Sequence, residues 1–320
     1  MALPCILDCD PGHDDAVAIL LAAAHPALDL RAITTVGGNA PLDKVTLNAR
    51  RVCTLAGIRD VPIAAGADGP AGGALEPAAD VHGESGLDGP ELPAPEVPVE
   101  ARPAVELIAA LAADEALTVF ATGPLTNVAV ALERVERGRI REIVWMGGST
   151  ERGNRTPYAE FNAWVDPDAA AAVLASGVPF TMVGLNLTHQ ARATKDVIAR
   201  MRALGTPLGD TVAGWFEFFG ATYRSLFGAV APPVHDPCAV ALIAEPGVVR
   251  WVDAFLAIET EGRWTRGATV VDLRGRLGEP PNARIALELD APRFWDVVVG
   301  AVERLGRGGR AAGGAAQSGA

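Results

Sequence analysis

An α/β fold with a mostly parallel central sheet flanked by helices is the architecture predicted for this 320-residue sequence. Three observations predict it. Short runs rich in apolar and β-branched residues alternate with longer segments of helical spacing, which is the rhythm of βαβ units. A hydrophobic content of 49% at this length is enough to bury a substantial core. No linker splits the chain, so one domain is expected over residues 1–305, followed by a Gly/Ala/Arg-rich tail at 306–320 with the composition of a disordered segment.

The elements follow in order. Strands are expected at 5–7, 30–35, 63–65, 117–121, 140–145 and 180–183, where β-formers cluster. Helices are expected at 15–24, 44–56, 104–113, 125–137 and 167–175, where apolar residues recur at helical spacing. Asp166-Pro167 opens the last of these with an N-cap followed by proline at the first helical position. Each strand-to-helix junction then lies at the carboxyl edge of the sheet, where open parallel sheets bind ligands. Residues 66–100 repeat Pro and Gly with little periodicity and read as a long loop folded over that edge, with His82 inside it. A helix spans Trp215 to Phe227, with Phe219, Tyr223 and Phe227 on one stripe. After Val230 the rhythm changes to a short helix at 238–244 and strands at 255–260, 269–273 and 283–289, a small accessory β element near the C-terminus.

Composition excludes several functions. With 39 Asp+Glu against 27 Lys+Arg the net charge is -12, and no basic stripe interleaves with aromatics, so nucleic acid is not an expected partner. Lys44 and Lys195 are the only lysines. Cys5, Cys9, Cys53 and Cys238 lie mostly in apolar runs without a close Cys-x-x-Cys pair and read as buried thiols in a reducing compartment. No signal-like segment and no membrane-spanning apolar run is present, so a soluble cytoplasmic protein is expected, with no membrane partner.

Chemistry concentrates in four places. The first is Asp8-Cys9-Asp10-Pro11-Gly12-His13-Asp14-Asp15, four carboxylates within eight positions. Held close together they would repel and take up protons unless a hard divalent cation neutralised them. Pro11-Gly12 turns the chain into a helix. Asp14 and Asp15 then diverge by about 100° around its axis, so one can face a metal with Asp10 while the other faces a substrate. Capping alone would need one Asp; Asp8 is the member expected to be structural. The second place is Met146-Gly147-Gly148 with Asn154, Glu160, Phe161 and Asn162, polar groups suited to a sugar's hydroxyls. The third is His235-Asp236, which interrupts an apolar stretch just before a helix. Asp236 can complete a metal shell, and His235 can protonate a leaving group. The fourth is Thr122-Gly123-Pro124-Leu125-Thr126-Asn127, a turn whose backbone carbonyl can add an oxygen ligand.

In this order the motifs resemble the inosine-uridine preferring nucleoside hydrolase family, over nearly the whole chain to about Leu305. The resemblance implies a Rossmann-like fold, a tightly held Ca²⁺, hydrolysis of the N-glycosidic bond of ribonucleosides, and a homodimer or homotetramer. It puts Asp10, Asp15, the Thr122 carbonyl and Asp236 on the metal, and Asp14, Asn39, Asn154, Glu160 and Asn162 on the ribose, with the Met146 backbone assisting and Phe161 beside them. Asp10 would activate the metal-bound water. An oxocarbenium-like transition state would follow, with His235 as leaving-group acid. His82, Tyr223 and Phe227 would line the base pocket, with a lean toward uridine, cytidine and inosine and nucleobase salvage as the suggested pathway. Two alternatives stand beside this. Asp8-Cys9-Asp10 after a strand also resembles the haloacid-dehalogenase phosphatases, although these need a lysine beside the phosphate. A nucleoside-binding protein without catalysis would keep the ribose cluster.

Overall fold

The computed structural model describes residues 2–70, 72–228 and 231–308, apart from the side chain of Phe227. Among them nine strands form one sheet: β1 (Leu3–Cys9), β2 (Leu28–Thr35), β3 (Ile63–Ala65), β4 (Leu117–Ala121), β5 (Ile140–Met146), β6 (Phe180–Val183), β7 (Val249–Ile258), β8 (Thr269–Asp272) and β9 (Ala283–Leu289). Their order is β3-β2-β1-β4-β5-β6-β9-β7-β8. Pairing is parallel from β3 to β6 and on to β9, while β7 runs antiparallel to both of its neighbours. The accessory element expected from the sequence is therefore an extension of the central sheet. Arg284 and Ile285 of β9 pair with Thr181 and Met182, which closes an edge that β6 would otherwise leave open.

Strand order reverses at β1, with β2 and β3 on one side and β4 to β6 on the other. Chains leaving β1 and β4 in opposite directions open a crevice at the carboxyl ends of those strands. Both faces of the sheet are covered. Cys5, Leu7 and Cys9 pack into one core and Ile6 into the other, as strand alternation requires. On the first side the helix His13–Ala24 is buried at all twelve positions. A helix apolar on every face beyond its first turn needs an outer layer, and Leu42–Leu55, Pro207–Phe227, Pro237–Ala244 and Ala291–Gly306 supply it. Ala104–Asp114, Thr126–Leu132 and Pro167–Ala175 carry residues of the second core.

Local signals behave as their chemistry dictates. Asp166 caps its helix by accepting from the Ala169 N–H at 3.0 Å. The helix expected at 125–137 stops at Leu132, where the N–H groups of Arg134 and Val135 both turn to the Ala131 carbonyl. The 66–100 segment holds the short helix Ala79–His82 and a bridge from Val99 to Ile63. Asn48 Nδ2 and Arg50 Nε pin it by donating to the carbonyls of Ser85 and Val97. The helices Lys195–Ala203 and Ala291–Gly306 were not anticipated. The second begins with Asp290 accepting from the Arg293 N–H, and it runs one residue into the segment expected as tail. Residues 309–320, the rest of that tail, lie outside the described residues. All four cysteines are free and buried, and no helix among the described residues is long and apolar enough to cross a membrane.

Phe294 is fully buried at the start of the last helix, edge-on to Trp295. Phe294→Ala is expected to cost about 3–5 kcal/mol through lost burial and a residual cavity, read as a lowered urea midpoint.

Candidate active site

The site is built on the turn that follows β1. Gly12 has extended backbone at the helix N-cap, and Asp15 folds back so that its Oδ2 accepts from the Gly12 N–H at 3.1 Å and its Oδ1 from the Asp10 N–H at 3.3 Å. Thr122, just past β4, donates its hydroxyl to Asp15 Oδ1 at 2.8 Å. Asn39, past β2, donates its N–H to Asp10 Oδ2 at 2.7 Å and its side-chain amide to the Asp10 carbonyl and to Asp15 Oδ2. His235 donates its backbone N–H to Asp14 Oδ2. Residues from four chain segments thus converge on carboxylates that are almost wholly removed from water. Asp8 Oδ1 takes hydrogen bonds from Thr34 Oγ1 and Asn127 Nδ2, while its Oδ2 is buried with no hydrogen-bond partner.

Asp14, Asp15 and Asp236 bring oxygens within 4.8 Å of one another. Asp10 lies outside that set but near enough to feel the charges of Asp15 and Asp14, and its Oδ1 is buried with no hydrogen-bond partner. Burial first, and then the neighbouring carboxylates, push Asp10 and Asp236 well above the ordinary carboxylate range and Asp14 to about 7. Hard oxygen donors, a free buried lone pair and mutual repulsion are the chemistry that a divalent cation satisfies. The Thr122 carbonyl accepts from Asn162 Nδ2 at 2.8 Å and retains a second lone pair for a metal.

Beyond β5, Glu160 accepts from the N–H groups of Gly148, Asn162 and Ala163, which fixes the carboxylate at the start of the helix Phe161–Val165. Burial raises it to about 7 despite those bonds. Asn162 donates to both the Thr122 and Met146 carbonyls, and Asn154 accepts from the Phe161 N–H. His235 is held between two hydroxyls, with Thr188 Oγ1 2.7 Å from Nδ1 and Tyr223 OH 3.2 Å from Nε2. Burial lowers His235 to about 3 and holds the Tyr223 hydroxyl protonated above its ordinary value.

A cavity of about 290 Å³ opens over these groups. Asp14, Asn39, His82, Thr122, Met146, Asn154, Glu160, Phe161, Asn162, Tyr223, His235 and Asp236 line it. Asp10 and Asp15 are fully buried and do not line it themselves. The side chain of Phe227 lies outside the described residues. Sequence reasoning did not anticipate Asp80, Val81, Arg155 and Leu226 in the wall. Asp80 and Val81 share a helix turn with His82, Arg155 follows Asn154, and Leu226 lies one turn beyond Tyr223, so helical spacing and adjacency were the available signals. Nor was a partner foreseen for His13, whose ring meets His82.

A parallel α/β sheet that carries a buried acidic cluster and a polar small-molecule cavity at its switch point defines an enzyme of small polar substrates. The chain belongs to the inosine-uridine preferring nucleoside hydrolase family, whose model matches residues 5–296. It is a ribonucleoside hydrolase, an N-glycosidase. It is 44% identical over 311 residues to a pyrimidine-specific ribonucleoside hydrolase RihA of Enterobacter sp. (strain 638), covering 95% of this chain and 98% of that one. It is 45% identical over 304 residues to the protein of the same description in Shewanella sp. (strain MR-7), covering 93% and 96%. Among solved structures, a purine-preferring ribonucleoside hydrolase from Gardnerella vaginalis superposes with a TM-score of 0.88 at 30% identity, covering 95% of this chain and 99% of that one. The phosphatase alternative finds no support. Neither lysine lines the cavity; Lys44 instead donates to the Glu84 carbonyl and Lys195 opens an outer helix.

The raised carboxylates set a pH dependence. Asp8, Asp14 and Glu160, at about 6, about 7 and about 7, hold protons in the folded chain that the unfolded chain releases near pH 4. From about pH 7 upward the buried histidines His13 and His235 are mostly neutral in both states, the unfolded chain having released their protons near pH 6.5 and folding having lowered them to about 4 and about 3. In chelator-treated protein the melting temperature is therefore expected to fall from about pH 7 to about pH 8, as Asp14 and Glu160 release in the folded state protons that the unfolded chain no longer holds. Added Ca²⁺ should raise it more at the upper end, measured by calorimetry.

Proposed function

We propose that this enzyme hydrolyses pyrimidine ribonucleosides, uridine and cytidine, to ribose and free base, with Ca²⁺ in the acidic cluster. The observation that carries the proposal is a single cavity walled both by the Asp14, Glu160 and Asn162 side chains and by the hydrogen-bonded Tyr223–His235 pair, which Thr188 supports from behind. The first set suits a ribose and the second a departing base. The pyrimidine preference is supported by relatives at 44–45% identity that are named pyrimidine-specific; the lean inferred from sequence had included inosine.

Asp10, Asp15, Asp236 and the Thr122 carbonyl would hold the cation, with Asp14 close enough to share it. When bound it supplies positive charge that keeps these carboxylates ionised and ligates hydroxyl oxygens. Asn39, Asn154, Glu160 and Asn162 orient the sugar, with the Met146 carbonyl fixing Asn162. Asp10, whose Oδ1 is free, takes a proton from the attacking water. The water oxygen bonds to C1′ as the C1′–N bond breaks, and the electron pair leaves with the base. Positive charge growing on the ribosyl ring is stabilised by the surrounding carboxylates.

Burial disfavours the charged form of His235, so its part at the leaving group is read from its hydrogen bonds and not from a stored proton. It works within a chain. The His235 ring is hydrogen-bonded to the Thr188 hydroxyl through Nδ1 and to the Tyr223 hydroxyl through Nε2, and this polar chain faces the negative charge that develops on the departing base.

Three outcomes test this. Free ribose should appear from uridine and cytidine faster than from inosine or adenosine, and a strong chelator should abolish its release; chelator-insensitive turnover would remove the cation from the mechanism. Asp10→Asn should lower kcat by orders of magnitude while uridine still binds by calorimetry. His235→Ala and Tyr223→Phe should slow uridine far more than p-nitrophenyl riboside, whose leaving group needs no help, and equal losses on both would argue against their role at the base.

A further inference from the structure

The mechanism above makes no use of His13, yet its ring is placed with unusual definition. His13 Nε2 lies 2.8 Å from the backbone carbonyl of Asp88, an atom that can only accept, so this nitrogen carries a hydrogen. His13 Nδ1 lies 3.1 Å from His82 Nδ1, and two facing ring nitrogens at that distance share a single hydrogen. Both residues are buried. The His13 ring stacks nearly parallel to Phe218 and Phe219 at 5.2 Å and to His82 at 5.4 Å. A cation in this apolar stack would be costly, so the pair is neutral, with two hydrogens over four nitrogens. One is on His13 Nε2. A neutral His13 has then used its only hydrogen, and the one between the rings belongs to His82 Nδ1. The His13 backbone N–H is a competing donor to His82 Nδ1, but at 3.5 Å it lies at the limit of hydrogen-bond length, and the 2.8 Å bond to Asp88 with the 3.1 Å ring contact outweighs it. Gly12 makes the seat possible, because a Cβ there would stand 2.6 Å from His82 Nδ1.

We infer that His13 is a positioning residue that locks His82 in the Nδ1–H tautomer, so that His82 meets the nucleobase through a bare Nε2, as acceptor of a base N–H and not as an acid. His82 lines the cavity, and its Nε2 has no hydrogen-bond partner among the described residues. Two histidines of one pocket thereby differ, since His235 is hydrogen-bonded through both ring nitrogens and His82 presents a bare Nε2. The 66–100 segment takes part through Asp88, whose side chain is occupied by Ser85 and the Glu84 N–H while its carbonyl sets the His13 tautomer. The part of this inference that concerns the nucleobase rests on the pyrimidine nucleoside proposal; the tautomer does not.

Long-range ¹⁵N–¹H spectra of the full-length, Ca²⁺-loaded protein without substrate read the tautomer directly, with the His82 signals assigned by their loss in His82→Gln. A protonated Nδ1 and a bare Nε2 are expected, and a protonated Nε2 would overturn the inference. His13→Leu removes the acceptor. It is expected to give His82 a mixed tautomer and to raise KM for uridine about fivefold, the loss of one hydrogen bond, with a smaller change in kcat. His13→Asn, whose Oδ1 can replace Nδ1 as acceptor, should restore both the spectrum and KM. An unchanged His82 tautomer in His13→Leu would overturn the positioning role, and if that variant does not fold, the wild-type and His13→Asn spectra still decide. Absence of ribose release from uridine by the wild type would defeat the nucleoside proposal alone, leaving the tautomer to the spectrum.

Discussion

The structure turns on the burial of mutually repelling carboxylates at the carboxyl end of β1. Asp10, Asp14, Asp15 and Asp236 are nearly or wholly removed from water, where charge is least tolerated. What surrounds them answers that cost. Backbone N–H groups of Gly12, Asn39 and His235, the Thr122 hydroxyl and the Asn39 amide all point their hydrogens at these oxygens. Gly12, Asn39 and Thr122 lie on the segments that follow β1, β2 and β4, so the electrostatics of the cluster and the arrangement of the sheet's carboxyl edge are one problem. The cation inferred for this place would supply the remaining counter-charge.

Close approach is the second constraint. Asp10 Oδ2 lies where a Cβ on Gly38 would be only 2.0 Å away, so glycine lets the β2 loop close over the carboxylate and present the Asn39 N–H to it. Gly12 does the same on the other side for His82. Bare backbone at these two points leaves room for one carboxylate and one imidazole, and it removes most of their freedom. Preorganisation of this kind lets polar groups act without rearranging as charge develops.

The outer helical layer serves the same end less directly. The helix His13–Ala24 carries Asp14 and Asp15 on its first turn and is apolar on every face beyond it, so the helices packed outside it hold the acidic cluster in place from behind. One of these, Pro207–Phe227, also brings Phe218 and Phe219 to the His13 ring and Tyr223 to His235. Packing and chemistry here use adjacent faces of one element.

By itself the sequence determined the parallel sheet, the cap at Asp166, the burial of the cysteines and the acidic motif after the first strand, because each is written in local spacing or in one short run. The elements it left unread have local signals of their own, such as the Asp290 cap of the last helix, but these were hidden among irregular segments. Only the tertiary structure decided how the motifs meet. That β9 extends the sheet beside β6, that Thr188 and Tyr223 grip His235, and that Asp88 reaches His13 across the fold all depend on contacts between residues 12 to 103 positions apart. Hydrogen-bond direction adds to this. Which nitrogen of a histidine carries its proton is set by the atom opposite, and a backbone carbonyl that arrives from a distant loop leaves no trace in the residues around His13.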